Sequence, residues 1–461
     1  MAANKQILLN AFNMNCVGHI NHGLWAHPRD RSTEYNTLEY WTDLAKTLER
    51  GLFDGLFIAD IVGVYDVYQN NVDLTLQESI QLPVNDPLLL VSAMAAVTRN
   101  LGFGLTANLS YEAPYLFARR MSTLDHLTRG RVGWNIVTGY LESAAKAMGR
   151  PQQVEHDRRY DQADEYLEVL YKLWEGSWED DAVLNDPQRR IYAQPGKVHK
   201  VQHHGEFYHV DGYHLCEPSP QRTPVLFQAG SSARGLRFAG QHAECVFISG
   251  QGREAVKKQV AAIRDSAQRN GRDPQAIKVF MGISVVVAPT EAQAHEKFAE
   301  YLRYASPEAG LAHYAASTGI DFSRYAPDEP IRYEKNNAIE SAVKNLTAKE
   351  DWTVARILKE NALGGRYPAL VGSPVQVADA LQAWVEDTGL DGFNLTRTVT
   401  PESYEDFIDL VIPELQSRGL YKTEYADGSL RNKLFADGDR LPAEHSGAGW
   451  RVGASPVKAA S

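Results

Sequence analysis

Short apolar runs alternate with longer amphipathic stretches through most of this 461-residue chain, and no other feature restricts its fold as tightly. An apolar run of about four to eight residues without polar alternation suits a strand buried on both faces. An apolar stripe of period 3.6 between two such runs suits a helix laid over the sheet. The spacing predicts strands over residues 7–11, 55–59, 102–105, 132–137, 225–229, 245–248, 277–286 and 392–395. It predicts helices over 38–50, 87–98, 114–128, 162–174, 253–270, 291–306 and 375–387. Eight strands with intervening helices favour an α/β chain closed into a (β/α)8 TIM barrel over an open doubly wound sheet.

Three segments exceed what such a barrel needs, near residues 63–85, 175–221 and 307–374. Long connections after barrel strands cover the C-terminal mouth, where active sites lie, so these are expected to be lids or substrate-shaping insertions. Within the second, HHGEFYHVDGYH has the alternation of a β-hairpin with surface or packing histidines, and no metal site is expected. The barrel is expected to occupy residues 1–430. The tail, 431–461, is polar, punctuated by Gly and Pro, and ends GASPVKAAS; it is expected to be an arm over the surface or a partner, frayed at its end.

A formal net charge of −11 without a basic stripe disfavours nucleic acid or an anionic membrane as a partner, because both are bound through clustered Lys and Arg. No stretch approaches the ~20 apolar residues of a membrane helix. The start, MAANKQILLNAF, lacks a basic segment followed by an apolar signal core, so a cytoplasmic location is expected. Cys16, Cys216 and Cys245 form neither a disulfide framework nor a metal pair and are read as reduced and structural, with Cys16 near the active site.

Polar residues stand at the ends of several predicted strands, where the barrel rule puts function: Asp60 in FIAD, Thr106 in GLTAN, and Asn135, Val137 and Thr138 in WNIVTG. Each polar one also suits the cap of the next helix. His156 and Tyr160 are spaced i, i+4 and face the same way, able to hold a phosphate or hydroxyl or simply to hydrogen-bond at a helix start. In VLFQAGSSARG a buried strand runs into Gly230, Ser231 and Ser232, then a helix with Arg234 in its first turn. Small residues there admit an anion to the backbone N–H groups at the positive end of the helix. The segment matches neither the Walker A nor the G-x-G-x-x-G spacing, and the chain has no H-E-x-x-H and no G-x-S-x-G. An enzyme without metal or nucleophile leaves the hard chemistry to an organic cofactor.

Taken together, LERGLFDGLFIAD, AAVTRNLGFGLTANLSYEAPYLFARRMSTLDHLTRGRVGWNIVTG, EHDRRYDQADEYLEVLYKLW, SPQRTPVLFQAGSSARGLRFAGQHAECVF and VGSPVQVADAL form a specific pattern. The chain resembles the nitrilotriacetate and dibenzothiophene-sulfone monooxygenase branch of the bacterial-luciferase-like flavin enzymes, over about residues 6–430. The openings NAFNMNCVGHINHGLWAHP and GVYDVYQ are most similar to the dimethyl-sulfide-oxidising members of that branch. The resemblance implies a barrel that binds reduced FMN at its mouth, receives it from an NAD(P)H:FMN reductase, uses O2 on a small molecule, and forms a homo-oligomer. It places Asp60, Thr106, Asn135, Val137 and Thr138 along the flavin ring, with His156, Tyr160, Gly230 and Ser231 at the phosphate.

On the same reading His19 and His22 face the flavin from the substrate side, where one could give a proton or hydrogen bond to the activated oxygen or the substrate. Packing is the alternative for both. Phe12, Trp25, Phe57 and Phe247 are candidate pocket walls. Sulfone-oxidising relatives carry a histidine before a T-G-I sequence; here Ser317-Thr318-Gly319-Ile320 follows His313. No Lys or Arg lies between Lys5 and Arg29, or between Arg50 and Arg99. Burying a polyanion without cations is costly, so an uncharged organosulfur compound, oxidised with C–S cleavage, is the expected substrate. Chlorinated aromatics and aminopolycarboxylates are the alternatives within that chemistry. A phosphate-ligand-binding barrel and a deazaflavin-dependent hydride-transfer enzyme are the alternatives outside it, and HDRRY and NIVTG favour FMN over the deazaflavin.

Overall fold

A computed structural model describes residues 5–230, 232–250, 252–331, 352–360, 363, 365 and 367–453. Eight parallel strands make the barrel: β1 (Leu8–Met14), β2 (Gly55–Ala59), β3 (Gly102–Asn108), β4 (Val132–Val137), β5 (Val225–Gln228), β6 (Cys245–Ile248), β7 (Lys278–Val287) and β8 (Gly392–Thr396). Each pairs with the next, and β8 pairs with β1, Leu8 lying opposite Gly392, so the sheet closes without an edge. All eight expected strands are present. Four run further at the mouth: β1 to Met14, opposite Ala59, and β3 to Asn108, opposite Val137, with β7 and β8 longer by a single residue, to Val287 and Thr396.

Alternation along these strands builds two cores. Outward residues such as Leu9, Leu56, Phe103, Trp134 and Met281 pack under the helices. Inward residues fill the lumen, where Phe12, Phe57, Val225, Phe227, Cys245 and Phe280 form one cluster. Glycine makes room for the rings: a Cβ on Gly104 would come within 2.9 Å of Phe57, and one on Gly133 within 2.6 Å of Phe227. Expected helices 38–50 and 114–128 appear as Leu38–Arg50, capped by Thr37, and Pro114–Thr128, started by its proline. The helix expected from residue 162 begins earlier, at His156.

The insertions have their own structure. Val201–His204 pairs antiparallel with His209–Gly212, the hairpin expected from HHGEFYHVDGYH. Pro307–Thr318 is a helix ended by Gly319 in the left-handed region, φ 70°. Ala369–Gly372 adds a ninth parallel strand beside the far end of β7, Ser284 opposite Ala369. Its four residues escape the sequence reading because so short a run has no period of its own. Residues 332–351 of the third insertion lie outside the described residues. Among the described residues no helix is long and apolar enough to cross a membrane.

The C-terminal arm begins with a helix, Leu430–Phe435, tucked under the barrel. Leu430 and Leu434 join the lumen cluster from below. Between them Arg431, 1% exposed, donates from Nε and Nη2 to the two carboxylate oxygens of Glu244 at 2.6 and 2.8 Å. Glu244 also accepts from the Leu226 backbone. Further along, Arg440 and Arg451 both reach the buried Glu175. Residues 454–461 lie outside the described residues, and with them most of the expected frayed end. Removing one partner of a buried ion pair strands the other. Arg431→Met is therefore expected to destabilise the protein by about 3–5 kcal/mol in denaturant unfolding, and the double variant with Glu244→Met to recover much of that. A single-variant loss below about 1 kcal/mol would mean the plug does not hold the base.

Candidate active site

The upper lumen is an aromatic wall. The ring of Phe12 lies edge-on to those of Phe57 (5.6 Å) and Phe247 (5.1 Å), and Phe57 is 5.5 Å from Phe227. Tyr367 completes it, 5.8 Å from Phe247, entering the barrel where Gly282 leaves space. Three expected pocket residues, Phe12, Phe57 and Phe247, thus come together. Trp25 sits apart from these rings on the short turn Leu24–Ala26, half-buried, its indole N–H without a partner among the described residues. Tyr367 was missed because it lies on an irregular stretch, contributed by an insertion, with no pattern to mark it.

The loop after β1 lays His19 on this wall, its ring 4.7 Å from Phe12. Next to it Ile20 takes the left-handed conformation, φ 61°, which a β-branched side chain adopts only at a cost of about 1–3 kcal/mol. Arg397, just past β8, holds the loop there, donating to the carbonyls of Cys16 and Val17 and to the Tyr40 hydroxyl, while Asn21 donates to the Arg397 carbonyl. His22 Nε2 meets His313 Nδ1 at 3.0 Å, one donating and the other accepting. The His313 ring stacks on Tyr65 (5.1 Å), whose hydroxyl donates to Gln81 at 2.6 Å and lies 3.3 Å from that of Tyr140. Burial, reinforced by Arg397, presses His22 down to about 3. It is neutral near pH 7 and serves as a hydrogen-bonding group, not as the charged acid that imidazole chemistry alone would suggest. Cys16 is also buried, its thiol pushed up to about 12 and donating to the Gly18 carbonyl.

A polar strip faces this wall across the mouth. Asn135 donates to Thr106 at 2.9 Å, and its own Oδ1 is buried without a partner among the described residues, as is Gln228 Oε1. Tyr160 is buried, with its hydroxyl accepting from Gln228 Nε2 at 3.4 Å. A Cβ on Gly230 would lie 2.6 Å from that hydroxyl, and closer still to the Gln228 amide. His156 packs on Tyr160 at 5.3 Å but is partly exposed and bonded to Asp157. Arg234 lies over the Tyr160 ring, 5.4 Å from its centroid, held by Asp161 and Asp164. Ser231 lies outside the described residues; its neighbour Ser232 caps the following helix by accepting from Gly235 N.

Asp60 and Thr106 line a cavity of about 590 Å³, with Asn108, Tyr111, Glu112 and Arg120 around it. Val137 and Thr138 are half-buried at the end of β4; the Thr138 carbonyl accepts from Ser110. Burial raises the Asp60 carboxyl to about 6, with Asp86 adding to the effect. The folded state therefore holds this proton more tightly than the unfolded chain, and Asp60 costs stability as pH rises from about 4 to about 6. Asp60→Asn is expected to raise the unfolding temperature at pH 7.5 and to make little difference near pH 4; an equal shift at both would show that Asp60 titrates normally.

The family model described as luciferase-like monooxygenase matches residues 21–392. The dimethyl-sulfide monooxygenase of Hyphomicrobium sulfonivorans is 50% identical over 451 residues, covering 97% of this chain and 94% of its own. The long-chain alkane monooxygenase of Geobacillus thermodenitrificans is 50% identical over 448 residues, covering 97% and 98%. A crystal structure of riboflavin lyase with modified FMN and riboflavin superposes with a TM-score of 0.92 at 40% identity, covering 97% of this chain and all of that one. With the family model spanning most of the barrel and relatives matched nearly end to end, the chain belongs to the luciferase-like monooxygenase family.

Proposed function

We propose that this protein is the oxygenase half of a two-component system, taking reduced FMN from a separate NAD(P)H:FMN reductase and using O2 to oxidise a small, uncharged organosulfur compound with C–S cleavage. The observation that carries this reading is the two-sided mouth: an aromatic wall with the hydrogen-bonded His22–His313 pair opposite a strip of amides whose oxygens have no partner among the described residues, and a glycine cradle. The polar strip fits a flavin mononucleotide. Asn135 Oδ1 and Gln228 Oε1 are buried acceptors that need donors, and the gap at Gly230 beside the Tyr160 hydroxyl suits a phosphate at a helix start. Reduced FMN, when bound, supplies the electrons that activate O2.

The chain's own residues do the rest. The rings of Phe12, Phe57, Phe247 and Tyr367 exclude water from the reacting side. His19, lying against Phe12, is the group placed to offer a hydrogen bond there, with His22, His313 and Tyr65 fixing the surrounding surface. A thioether suits such a wall, since sulfur is favourably placed about 5 Å from aromatic edges. Oxidation at the carbon beside sulfur sends one atom of O2 to that carbon and the other to water. The resulting hemithioacetal then falls apart to a thiol and an aldehyde.

Two measurements test this. In a reductase-coupled assay offering a dialkyl sulfide, a long-chain alkane, an aryl sulfone, a chlorinated aromatic and an aminopolycarboxylate, the dialkyl sulfide is expected to turn over fastest, releasing aldehyde. Turnover of the alkane alone would keep the apolar wall and reject the sulfur; turnover of the aminopolycarboxylate alone would refute the wall. Separately, Gly230→Ala is expected to raise the Kd for reduced FMN at least about tenfold, roughly 1.4 kcal/mol, in anaerobic fluorescence titration with the fold intact. Unchanged affinity would move the phosphate elsewhere.

A further inference from the structure

At the closed end of the barrel, opposite the mouth, a second cavity of about 180 Å³ lies between the N-terminal ends of β6 and β7 and the C-terminal arm. Its lining includes Glu244, Arg272, Lys278, Arg431, Phe435 and Arg440. The charges there are unequally satisfied. Glu244 is spent on Arg431, which grips it through the Nε–Nη2 edge of the guanidinium. Arg440 pairs with Glu175 and Asp180 through its two Nη atoms, and its Nε has no partner among the described residues. Arg272 is only 3% exposed and uses one nitrogen alone: Nη1 donates to the carbonyls of Gly240 and Ala243 at 3.1 and 2.7 Å. Its Nε and Nη2 have no hydrogen-bond partner among the described residues.

That unused edge is the same one with which Arg431 holds a carboxylate, the parallel pair of N–H groups that matches two oxygens of an oxyanion. Lys278, the first residue of β7, adds a second cation, its ammonium 5.8 Å from the Phe435 ring centroid. The remaining carboxylates of the lining, Asp273, Asp437 and Glu444, are exposed, and of these Glu444 is the one whose charge reaches Arg272. Arg272 and Lys278 are thus the two cations of the lining that no carboxylate among the described residues hydrogen-bonds. A buried guanidinium with two idle donors is costly to keep unless something occupies them.

We propose that this cavity is a binding site for a small oxyanion of the phosphate or sulfate class, held side-on by Arg272 Nε and Nη2 and countered by Lys278. It is independent of the flavin at the mouth. An anion here bridges the loop before β7 to the Phe435–Glu444 part of the arm, so its effect is on the stability of the barrel base.

The test is thermal unfolding of the full chain against inorganic phosphate, at constant ionic strength made up with chloride, with and without saturating FMN to fill the phosphate cradle at the mouth. Wild type is expected to gain stability saturably under both conditions, with sulfate acting similarly and chloride not. Arg272→Met is expected to abolish the FMN-independent gain, and Lys278→Gln to weaken the apparent phosphate affinity at least about fivefold while binding FMN as wild type does. Should Arg272→Met fail to fold, Lys278→Gln decides. An undiminished phosphate response in Lys278→Gln, a response that vanishes once FMN is present, or an equal response to chloride would each overturn the proposal.

Discussion

Closure of the eight-stranded sheet is the constraint on which everything else in this protein depends. Pairing of β8 with β1 leaves no strand edge, so every second side chain must enter a lumen that water does not fill. Rings of phenylalanine over glycine fill that space, and the same rings, continued upward, become the wall of the mouth. The lumen core and the wall of the mouth are one continuous apolar object. The small side chains at Gly104, Gly133 and Gly282 are what allow it to be both tightly packed and concave.

Around that wall the polar groups are positioned by burial more than by charge. Arg397 is the exception that organises the rest. It spans from β8 to the loop after β1, holds the loop that carries a strained Ile20, and adds to the burial that keeps His22 neutral. A neutral His22, hydrogen-bonded to His313 beside an aromatic stack, can align without attracting anions. The opposite end is governed by ion pairs, with Arg431 and Glu244 tying the arm to the strands. Each end therefore has its own means of holding an irregular segment on a regular barrel, and Asn135 and Gln228 above and Arg272 below are among the buried groups that keep a hydrogen-bonding atom without a partner among the described residues.

The agreement between pattern and structure is closest where a single period decides the outcome. Buried strands such as VGWNIV and amphipathic helices such as Leu38–Arg50 owe their existence and type to residues within one segment, so they are legible one segment at a time. Polar residues at strand ends were legible because barrel geometry sends them to one face, although Thr106 and Asn135 bond each other across strands, a pairing no spacing reveals. His156, read as an equal partner of Tyr160, proves the more exposed of the two, because the helix start it occupies faces outward.

The sequence by itself determined the alternation of strand and helix, the closed barrel and the family, because these follow from local periodicity and motif. Only the tertiary structure decided that Tyr367 enters the lumen, that His313 meets His22, that Tyr65 and Gln81 stand behind them, and that Arg431 closes the base while Arg272 is left with an open edge. Those contacts join residues far apart in the chain through irregular insertions, where no repeating pattern exists to carry the information and only the closing of the barrel brings the partners within reach.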